Sequence, residues 1–471
     1  MFQAPGNIIA YLALIVFPIL SLFLYTRKSV PEAIVWTLTL GYLLLPVRTW
    51  IDPPVFPLLD KIAIPAMAVL FFSAVYSGRR IEVLPKDTVP KALMLVLILA
   101  PSITAFNNTD QIVIGATVLP GMQVFGGEAI SLLVSQFFFL VPFVLGRQYL
   151  SALEDREKLI KILVMCGVVY SFAIFWEIRM SPQLHTNFYG YFPHTAFLQQ
   201  MRAGGFRAVV FLGHGLLTTL LLVSTLMLLF YMMRHGKKVF SYKAMYPAGF
   251  VLLAIIFNKT FAGYLYTLFA IMFCFVLSPR LRRLALLSIC VLVISYPIFR
   301  TTSFYPDLQI VEFAARYSED RSQSIQFRFD NENILLEKAS RKPYTGWGVW
   351  ARNRVYDENG IDISVSDGGW IIDLGIYGWL GFICKYLLLT WPIFQWMKLK
   401  KYYGDSTRVD GISVLSCILA IVLFDNLINS GISPITWLIS GTLLGASERY
   451  KREIAEKIQQ ARALAEQEET V

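Results

Sequence analysis

Eight stretches of this sequence are apolar, nearly free of charge and long enough to cross a lipid bilayer. They lie near residues 7–25, 62–78, 129–146, 159–176, 208–233, 261–278, 284–299 and 371–396. A hydrocarbon core about 30 Å thick requires roughly 20 mostly apolar residues in a helix. The sequence therefore predicts an all-α polytopic integral membrane protein.

Five further runs are shorter or contain proline and polar residues, so they are weaker candidates for membrane spans. They lie near residues 30–47, 92–106, 243–257, 411–424 and 433–447. With them the total is roughly 12 to 14 spans, and we adopt 13. The composition agrees, because 56% of the 471 residues are hydrophobic and only 16% are charged, too apolar for a soluble protein of this length.

Lysine and arginine fall on alternate connectors, which supports the span count because cytoplasmic loops are enriched in both residues. The basic connectors, near 27–28, 79–91, 147–161, 234–243, 280–283 and 398–408, and the tail from 449 contain 26 of the 42 Lys and Arg residues. The short connectors between them hold Arg48, Lys61, Arg179, Arg202, Arg207 and Lys259. The basic connectors and the C-terminus are predicted to be cytoplasmic and the N-terminus to lie outside. Topology thus explains most of the positive charge, and we expect no nucleic-acid partner.

Two outer loops, near 178–207 and 300–369, are long enough to form a site. The larger contains nine basic and eleven acidic residues, a balance that predicts a small folded cap. Ile325, Phe329 and Leu336 recur at helical spacing, which predicts a helix through 324–340. The predicted organisation is membrane helices 1–10 at 1–299, the extracytoplasmic cap at 300–369, membrane helices 11–13 at 370–447 and a cytoplasmic helical tail at 448–471.

Five cations on the outer side are candidates for binding phosphate, because a guanidinium can donate two parallel hydrogen bonds to phosphate oxygens. Arg202 and Arg207 end the smaller outer loop, and Lys259 lies in a tight connector. With Arg328 and Arg341 of the cap they could hold a lipid-linked pyrophosphate at the bilayer surface. Each alone is equally compatible with a headgroup contact or a structural ion pair, and their occurrence on one face favours a site.

Histidine and cysteine give little support for metal or thiol chemistry. His185 and His194 are nine residues apart without a nearby acidic partner, and all five cysteines lie in apolar stretches. His214 begins an apolar run and must face protein or water, so we include it among the substrate-binding residues. We expect neither a metal ion nor a cofactor.

Four segments between residues 200 and 385 contain recognisable patterns. They are RAGGFRAVVFLG, from Arg202 to Gly213; NKTFAGYL, which contains Lys259; the stretch from Arg328 that ends KPYTGWG; and SDGGWIIDLGIYGWLGF. In turn they resemble the Arg-x10-Gly motif, the Ser-Arg-rich turn, the Arg-to-Pro-x-x-Gly-x-Gly segment and the Gly-x-x-Gly run of the O-antigen ligase and polymerase superfamily of bacterial envelope glycosyltransferases. Lys259 stands where that family usually has arginine.

The resemblance implies a polysaccharide polymerase of the bacterial cytoplasmic (inner) membrane. Such an enzyme transfers glycan from a polyprenyl-pyrophosphate donor to a lipid-linked repeat unit at the outer face. Its expected partners are the polyprenyl-pyrophosphate-linked oligosaccharide and membrane lipids, with a chain-length regulator and a flippase as further candidates. A second Arg-x10-Gly motif, found in some polymerases, is absent, and Ser366 and Asp367 replace the His-Asn pair of the ligases. The missing histidine favours a polymerase.

Transfer from such a donor can proceed without a metal if cations offset the charge on the leaving pyrophosphate. The acceptor hydroxyl needs a base within hydrogen-bond reach, and Asp367 is our candidate, with helix capping as its alternative role. Direct displacement at the anomeric carbon would invert configuration. An O-antigen ligase and a polysaccharide or lipid transporter stay open as alternatives. A transporter would have its charged cavity at the midplane of the bilayer.

Overall fold

The structure, a computed structural model, describes residues 6–124, 127–194, 197–202, 204–302, 305–399 and 410–469. The α-helices in these ranges are α1 (Ile8–Arg27), α2 (Val30–Leu44), α3 (Ala63–Ser77), α4 (Thr88–Phe106), α5 (Glu128–Tyr149), α6 (Leu153–Met180), α7 (Leu184–Tyr189), α8 (Gly215–Arg234), α9 (Met245–Phe257), α10 (Phe261–Ile271), α11 (Pro279–Arg300), α12 (Asp307–Ala315), α13 (Glu319–Ser340), α14 (Gly369–Leu399), α15 (Gly411–Ile428) and α16 (Pro434–Glu469). Three antiparallel hairpins pair β1 (Ile112–Ile114) with β2 (Thr117–Leu119), β3 (Met201–Arg202) with β4 (Gly205–Phe206), and β5 (Lys238–Val239) with β6 (Tyr242–Lys243).

Eight of these helices are long and apolar enough to cross a membrane: α1, α4, α5, α6, α8, α11, α14 and α15. Shorter apolar helices are α2, α3, α9 and α10, the last extended by the π-helical turn Met272–Val276. Large apolar side chains stay exposed on the outside of the bundle; Ile8 of α1, for example, is 77% exposed. Exposed apolar surface on helices of this length and hydropathy is typical of a face that contacts lipid. The chain is an all-α protein embedded in a membrane.

All thirteen predicted runs coincide with helices, but their relative strength differs from our expectation. The runs near 62–78 and 261–278 form short helices, α3 with 15 residues and α10 with 11. The weaker runs near 92–106 and 411–424 form the long helices α4 and α15. The helix α4 begins at Thr88 and takes in Lys91, so a helix can extend past the charge that ends an apolar run.

The connectors meet at two ends of the bundle. Contacts at the first, which we call the loop end, join Val47 N to His185 Nε2 (3.2 Å), Lys61 Nζ to Phe211 O (2.9 Å), Thr104 Oγ1 to Thr345 O (2.6 Å) and Gly369 N to Asn429 O (3.0 Å). Contacts at the second, the basic end, join Arg147 to Glu448 (3.1 Å), Lys451 to Asp87 (2.5 Å) and Tyr149 to Ser77 (2.9 Å). Both predicted outer loops, the smaller one and the cap, belong to the loop end.

Arg300, at the end of α11, fastens the cap to the membrane helices. It is 5% exposed, and its guanidinium lies against the rings of Tyr305 and Phe329. Its hydrogen bonds run from Nε to Glu332 (2.9 Å), from Nη1 to Asp307 (2.7 Å) and from Nη2 to Asn333 (3.0 Å). Because these bonds reach both α12 and α13, one buried side chain fixes the two cap helices. The cap helix α13 begins at Glu319, five residues before the predicted start.

Candidate functional site

Two glycines determine the position of Asp367, which directly precedes α14. A Cβ atom at Gly368 would lie 2.7 Å from the carbonyl oxygen of Leu427, and one at Gly369 would lie 2.4 Å from the amide of Asn426. Side chains at these positions would therefore push α14 away from α15. The pair of glycines lets the start of α14 rest on the end of α15, with Asp367 beside that contact.

Asp367 faces Arg328 of the cap helix α13. Arg328 Nε lies 3.7 Å from Asp367 Oδ2, and the two side chains are 41% and 45% exposed. This distance makes an ion pair but exceeds that of a hydrogen bond. Both residues border a recess of about 10 Å³, enough for about one water molecule. The carboxylate is thus accessible from the recess while a guanidinium stands next to it.

A larger cavity adjoins this recess, and we call the two together the cap pocket. The larger cavity has a volume of about 550 Å³. Arg328, Glu332 and Ile428 line both spaces, and most of the remaining wall is apolar: Leu292, Tyr296, Phe299, Tyr305, Pro306, Ile310, Ile325, Phe329, Phe424 and Leu427. The cap pocket therefore combines a long apolar wall from α11, α12, α13 and α15 with one charged corner at Arg328.

A second carboxylate, Asp425 of α15, lies close enough to Arg328 to interact with it electrostatically. Asp425 is 1% exposed, and its Oδ1 accepts hydrogen bonds from Tyr266 (2.8 Å) and Asn429 (2.9 Å). Its Oδ2 has no hydrogen-bond partner among the described residues. Arg328 thus forms an ion pair with the exposed carboxylate of Asp367 and interacts electrostatically with the buried carboxylate of Asp425.

Glu332 is the second acidic residue that lines the cap pocket, after Asp367. Burial raises the pKa of its carboxyl above the usual range, although the adjacent Arg300 guanidinium lowers it. Its Oε2 accepts hydrogen bonds from Arg300 (2.9 Å) and Tyr296 (3.2 Å). These contacts commit Glu332 to holding the cap in place.

Arg207 lies in a second group of predicted residues, at the start of α8. It is 5% exposed, and its guanidinium donates to Gln200 Oε1 and to the Gln199 carbonyl oxygen, both at 3.2 Å. A Cβ atom at Gly215 would lie 2.4 Å from Arg207 Nε, so the side chain passes directly over the first turn of α8. Arg207 is thus buried below the β3–β4 hairpin.

Lys259 approaches the same hairpin from the connector between α9 and α10. Its backbone is left-handed (φ 51°), and its Nζ lies 2.7 Å from the position of a Cβ atom at Gly205. The preceding residue, Asn258, fixes this arrangement, because its Oδ1 accepts from Ala208 N at 2.9 Å. The structure therefore brings Arg207 and Lys259 to the same hairpin.

His214 is the N-cap of α8, where its Nδ1 accepts a hydrogen bond from Leu216 N at 3.1 Å. Its ring centre lies 5.0 Å from that of His194 in the smaller outer loop. Gly213 precedes it with φ 88°, a left-handed conformation that favours glycine. The glycine of the Arg-x10-Gly pattern therefore forms the turn that ends the outer loop and starts α8.

Two predicted binding residues are not joined to these groups. The side chain of Arg202 lies outside the described part of the chain. Arg341 is the C-cap of α13, its side chain is 64% exposed, and it pairs with Glu337 at 2.9 Å. Thirteen residues of helix separate it from Arg328, about 20 Å along the axis. Arg341 borders neither space of the cap pocket, so Arg328 is the predicted cap cation at that pocket.

The Pro-x-x-Gly-x-Gly pattern proves to clamp an interruption in α14. Gly378 is non-helical (φ 63°, ψ −167°), so the helix breaks there and leaves backbone groups without helical partners. Residues 343–348 supply those partners, through Trp347 N to Gly375 O (2.9 Å), Gly348 N to Ile376 O (3.0 Å), Trp379 N to Pro343 O (2.8 Å) and Leu380 N to Tyr344 O (3.1 Å). We call residues 343–348 the clamp.

An ion pair bridges the same interruption. Lys385 Nζ donates to Asp373 Oδ1 at 2.9 Å and Oδ2 at 2.8 Å. Twelve residues of continuous helix would separate these groups by about 18 Å, so the pair depends on the break at Gly378. The sequence analysis predicted neither the break at Gly378 nor the Asp373–Lys385 pair. The signal available was the pair of charges inside one apolar run.

Comparison with models of known protein families gave no match. Comparison with curated proteins gave no significant match either.

Proposed function

We propose that this protein is a membrane glycosyltransferase that polymerises polysaccharide. It would transfer glycan from a polyprenyl-pyrophosphate-linked donor to a lipid-linked repeat-unit acceptor. The loop end would face the outside of the bacterial cytoplasmic membrane, with 13 spans and the basic end in the cytoplasm. The main support is the cap pocket, where Arg328 stands between a cavity of mostly apolar wall and the carboxylate of Asp367.

The lining of the cap pocket suits an amphiphile with a long apolar chain and an anionic head. The wall contributed by α11, α12 and α15 can accommodate isoprene units, which need apolar contact and no hydrogen bonds. Arg328 at the charged corner can bind the pyrophosphate and stabilise the charge that develops as it leaves. Asp367, beside it, can accept the proton of the attacking hydroxyl.

The cluster of Arg207, Lys259 and His214 supports the proposal as a second polar site at the loop end. A polymerase must hold a donor and an acceptor at once, and both substrates carry a pyrophosphate on a lipid. We assign the Arg328 corner to the leaving donor because Asp367 is next to it. The hairpin cluster, with Lys259 Nζ against Gly205, would then hold the acceptor's pyrophosphate.

The test is synthesis of polymer by purified protein from a polyprenyl-pyrophosphate oligosaccharide. Arg328→Gln should lower the rate by about 10²-fold or more, because it removes a charge offset needed in the transition state. Arg316→Gln is the matched control, since Arg316 is an exposed cap arginine that lines neither space of the cap pocket. Equal rates for the two variants would contradict the assignment of Arg328. Absence of any release of polyprenyl pyrophosphate by the unaltered protein would contradict the proposed function.

An O-antigen ligase would use the same donor, so the choice of acceptor decides between the two enzymes. The polymerase proposal requires products that carry two or more repeat units on one polyprenyl pyrophosphate. A ligase would instead move glycan only onto a different lipid or protein. Gel analysis of products made with the repeat-unit donor as sole substrate distinguishes these outcomes.

A transporter of lipid-linked glycan is the second candidate, favoured by the broken helix α14 and its Asp373–Lys385 pair. Interrupted helices and buried charges inside the membrane are typical of secondary transporters. In vesicles that contain the purified protein and a labelled lipid-linked oligosaccharide, a transporter would move the label across the bilayer without forming a new glycosidic bond. Polymer formation without movement of the label supports the glycosyltransferase.

A further inference from the structure

A separate cavity of about 810 Å³ lies at the basic end of the bundle. It is formed by the residues that follow α3, the last turn of α5 and the polar middle of α16. Its charged lining consists of Arg79, Arg80, Lys86, Arg147, Arg449 and Arg452, with Glu82, Glu448, Glu453 and Glu456. Nothing in the proposed glycosyl transfer uses this cavity, which we call the basic cavity.

The backbone that carries its arginines is held in place. Gln148 accepts a hydrogen bond from Glu82 N and donates one to Arg80 O, both at 2.9 Å. Arg147, 3% exposed, donates to the carbonyl oxygen of Glu82. The side chains of Arg79 and Arg80 nevertheless stay exposed. The cavity therefore presents free guanidinium groups on a fixed frame, an arrangement that lowers the entropic cost of binding a ligand.

Most carboxylates of the basic cavity already have a cation. The pairs are Glu82 with Lys86 (3.8 Å), Glu448 with Arg147 (3.1 Å) and Glu453 with Arg449 (3.0 Å). The remaining carboxylate of the lining is Glu456. Three arginines of the lining, Arg79, Arg80 and Arg452, form no ion pair among the described residues. The buried Nε of Arg147 also lacks a hydrogen-bond partner among them. The cavity thus has an excess of positive charge and a buried donor without an acceptor.

We propose that the basic cavity binds the phosphate of an anionic phospholipid headgroup. Guanidinium groups match phosphate oxygens in geometry and charge. The cavity lies where the apolar helices α3 and α5 end, the level at which we expect lipid headgroups. The aromatic pair of Trp396 and Tyr450, with ring centres 5.4 Å apart, lies at the same end. A lipid is favoured over soluble phosphate because its acyl chains can lie along the apolar helices next to the cavity.

The experiment is native mass spectrometry of the full-length protein in detergent, titrated with phosphatidylglycerol, with phosphatidylcholine or with inorganic phosphate. The unaltered protein should retain one phosphatidylglycerol in preference to phosphatidylcholine. The double variant Arg79→Gln with Arg80→Gln should weaken retention of phosphatidylglycerol about 10-fold or more, because each cation near an anionic lipid contributes to the free energy of binding. The matched control is Arg27→Gln with Lys28→Gln, which removes two exposed cations of the same end that do not line the cavity.

Two results would overturn the proposal. Equal weakening by the two double variants would mean that phosphatidylglycerol is attracted by the general positive charge of the basic end. Displacement of the lipid by inorganic phosphate at similar concentration would mean that the site binds soluble phosphate. Arg452→Gln gives a second test on α16, and it should weaken retention of phosphatidylglycerol while leaving the unfolding temperature of the protein unchanged.

Discussion

Asp367 is the residue on which the proposed chemistry depends most. Asp367→Asn should lower polymer synthesis by about 10²- to 10⁴-fold, the usual effect of removing a general base. Loss of a helix cap would cost about 1 kcal/mol of stability, and asparagine is itself a good cap. The measurement is the ladder of glycan lengths on a gel, from cells that lack the gene for this protein and carry a plasmid copy of each variant.

Glu312→Gln is the control for this substitution. It also removes a carboxylate from the extracytoplasmic cap (residues 300–369), but Glu312 lies on the exposed side of α12. Inserted and folded Asp367→Asn protein that makes a normal ladder would reduce Asp367 to a capping residue. The base would then have to be sought among Asp330, Glu337 and His194.

His185 makes the loop end sensitive to acid. It is 2% exposed, its Nε2 accepts from Val47 N, and its Nδ1 donates to Tyr191 O at 2.9 Å. Burial lowers the pKa of this imidazole to about 4. Since the folded-state pKa is depressed, the stabilisation is fully present above the unfolded value of about 6.5 and is lost as pH falls towards 4. The shift corresponds to roughly 3 kcal/mol at most.

Thermal unfolding in detergent should therefore show a fall in midpoint between about pH 6.5 and pH 4. His185→Gln should reduce that pH dependence. His235→Gln should keep it, because His235 is exposed at the basic end. The same pH dependence in both variants would assign the acid sensitivity to other groups.

At the scale of single elements, the clamp determines how α14 can be broken and still be stable. Gly346 has φ 68°, and a Cβ atom there would lie 2.4 Å from the Ile376 carbonyl oxygen. Gly346→Ala should therefore lower the free energy of unfolding by more than about 2 kcal/mol, from backbone strain and from displacement of the clamp. Because the clamp holds the half of α14 that follows Asp367, polymer synthesis should fall as well.

The substitution Gly236→Ala distinguishes the effect of backbone strain from the effect of displacing the clamp. Gly236 has a similar φ of 63°, but a Cβ atom there would have open space around it. It should cost about 1 kcal/mol, from the left-handed backbone alone, and leave polymer synthesis unchanged. The comparison needs unfolding midpoints and product gels for both variants. Equal losses would show that the clamp can move aside without consequence.

Hydropathy predicted the helices better than it predicted their irregularities. A run of apolar residues is sufficient to predict a helix such as α8, because the bilayer leaves few other structures for it. The break at Gly378 was not predictable in the same way, since it depends on hydrogen bonds from residues 343–348, far away in the sequence. The cap helix α13 was predictable from its local spacing, but the burial of Arg300 against it was not.

The candidate site shows the same limit. Sequence reasoning selected Arg328 and Asp367 separately, and the structure places them 3.7 Å apart. It also selected Arg341, on the same helix as Arg328, but helical geometry separates the two by about 20 Å. Asp425 was not among the predicted site residues, because its electrostatic interaction with Arg328 arises only in the folded protein. Residue type identified candidates for a charged site, and only the fold could select among them.

At the scale of the whole molecule, orientation in the membrane decides whether the cap pocket can meet extracytoplasmic substrates. Single cysteines at Lys28, Phe56, Lys238, Thr302 and Glu456 test it. The helix α2 separates Lys28 from Phe56, and the membrane helices α3, α4, α5, α6 and α8 separate Phe56 from Lys238. The helices α9, α10 and α11 separate Lys238 from Thr302, and the membrane helices α14, α15 and α16 separate Thr302 from Glu456. If all 13 predicted spans cross the bilayer, each interval contains an odd number of spans, so successive positions should lie on opposite sides.

In intact cells, a maleimide that does not cross membranes should label Phe56→Cys and Thr302→Cys. Lys28→Cys, Lys238→Cys and Glu456→Cys should react only after the cells are opened, because positively charged connectors stay in the cytoplasm. Background should be low, since the five native cysteines are all buried. If only one of the short helices α9 and α10 crossed, Lys238 and Thr302 would lie on the same side and would be labelled alike. A cap that is labelled only in opened cells would place the pocket in the cytoplasm and contradict a polymerase that works outside.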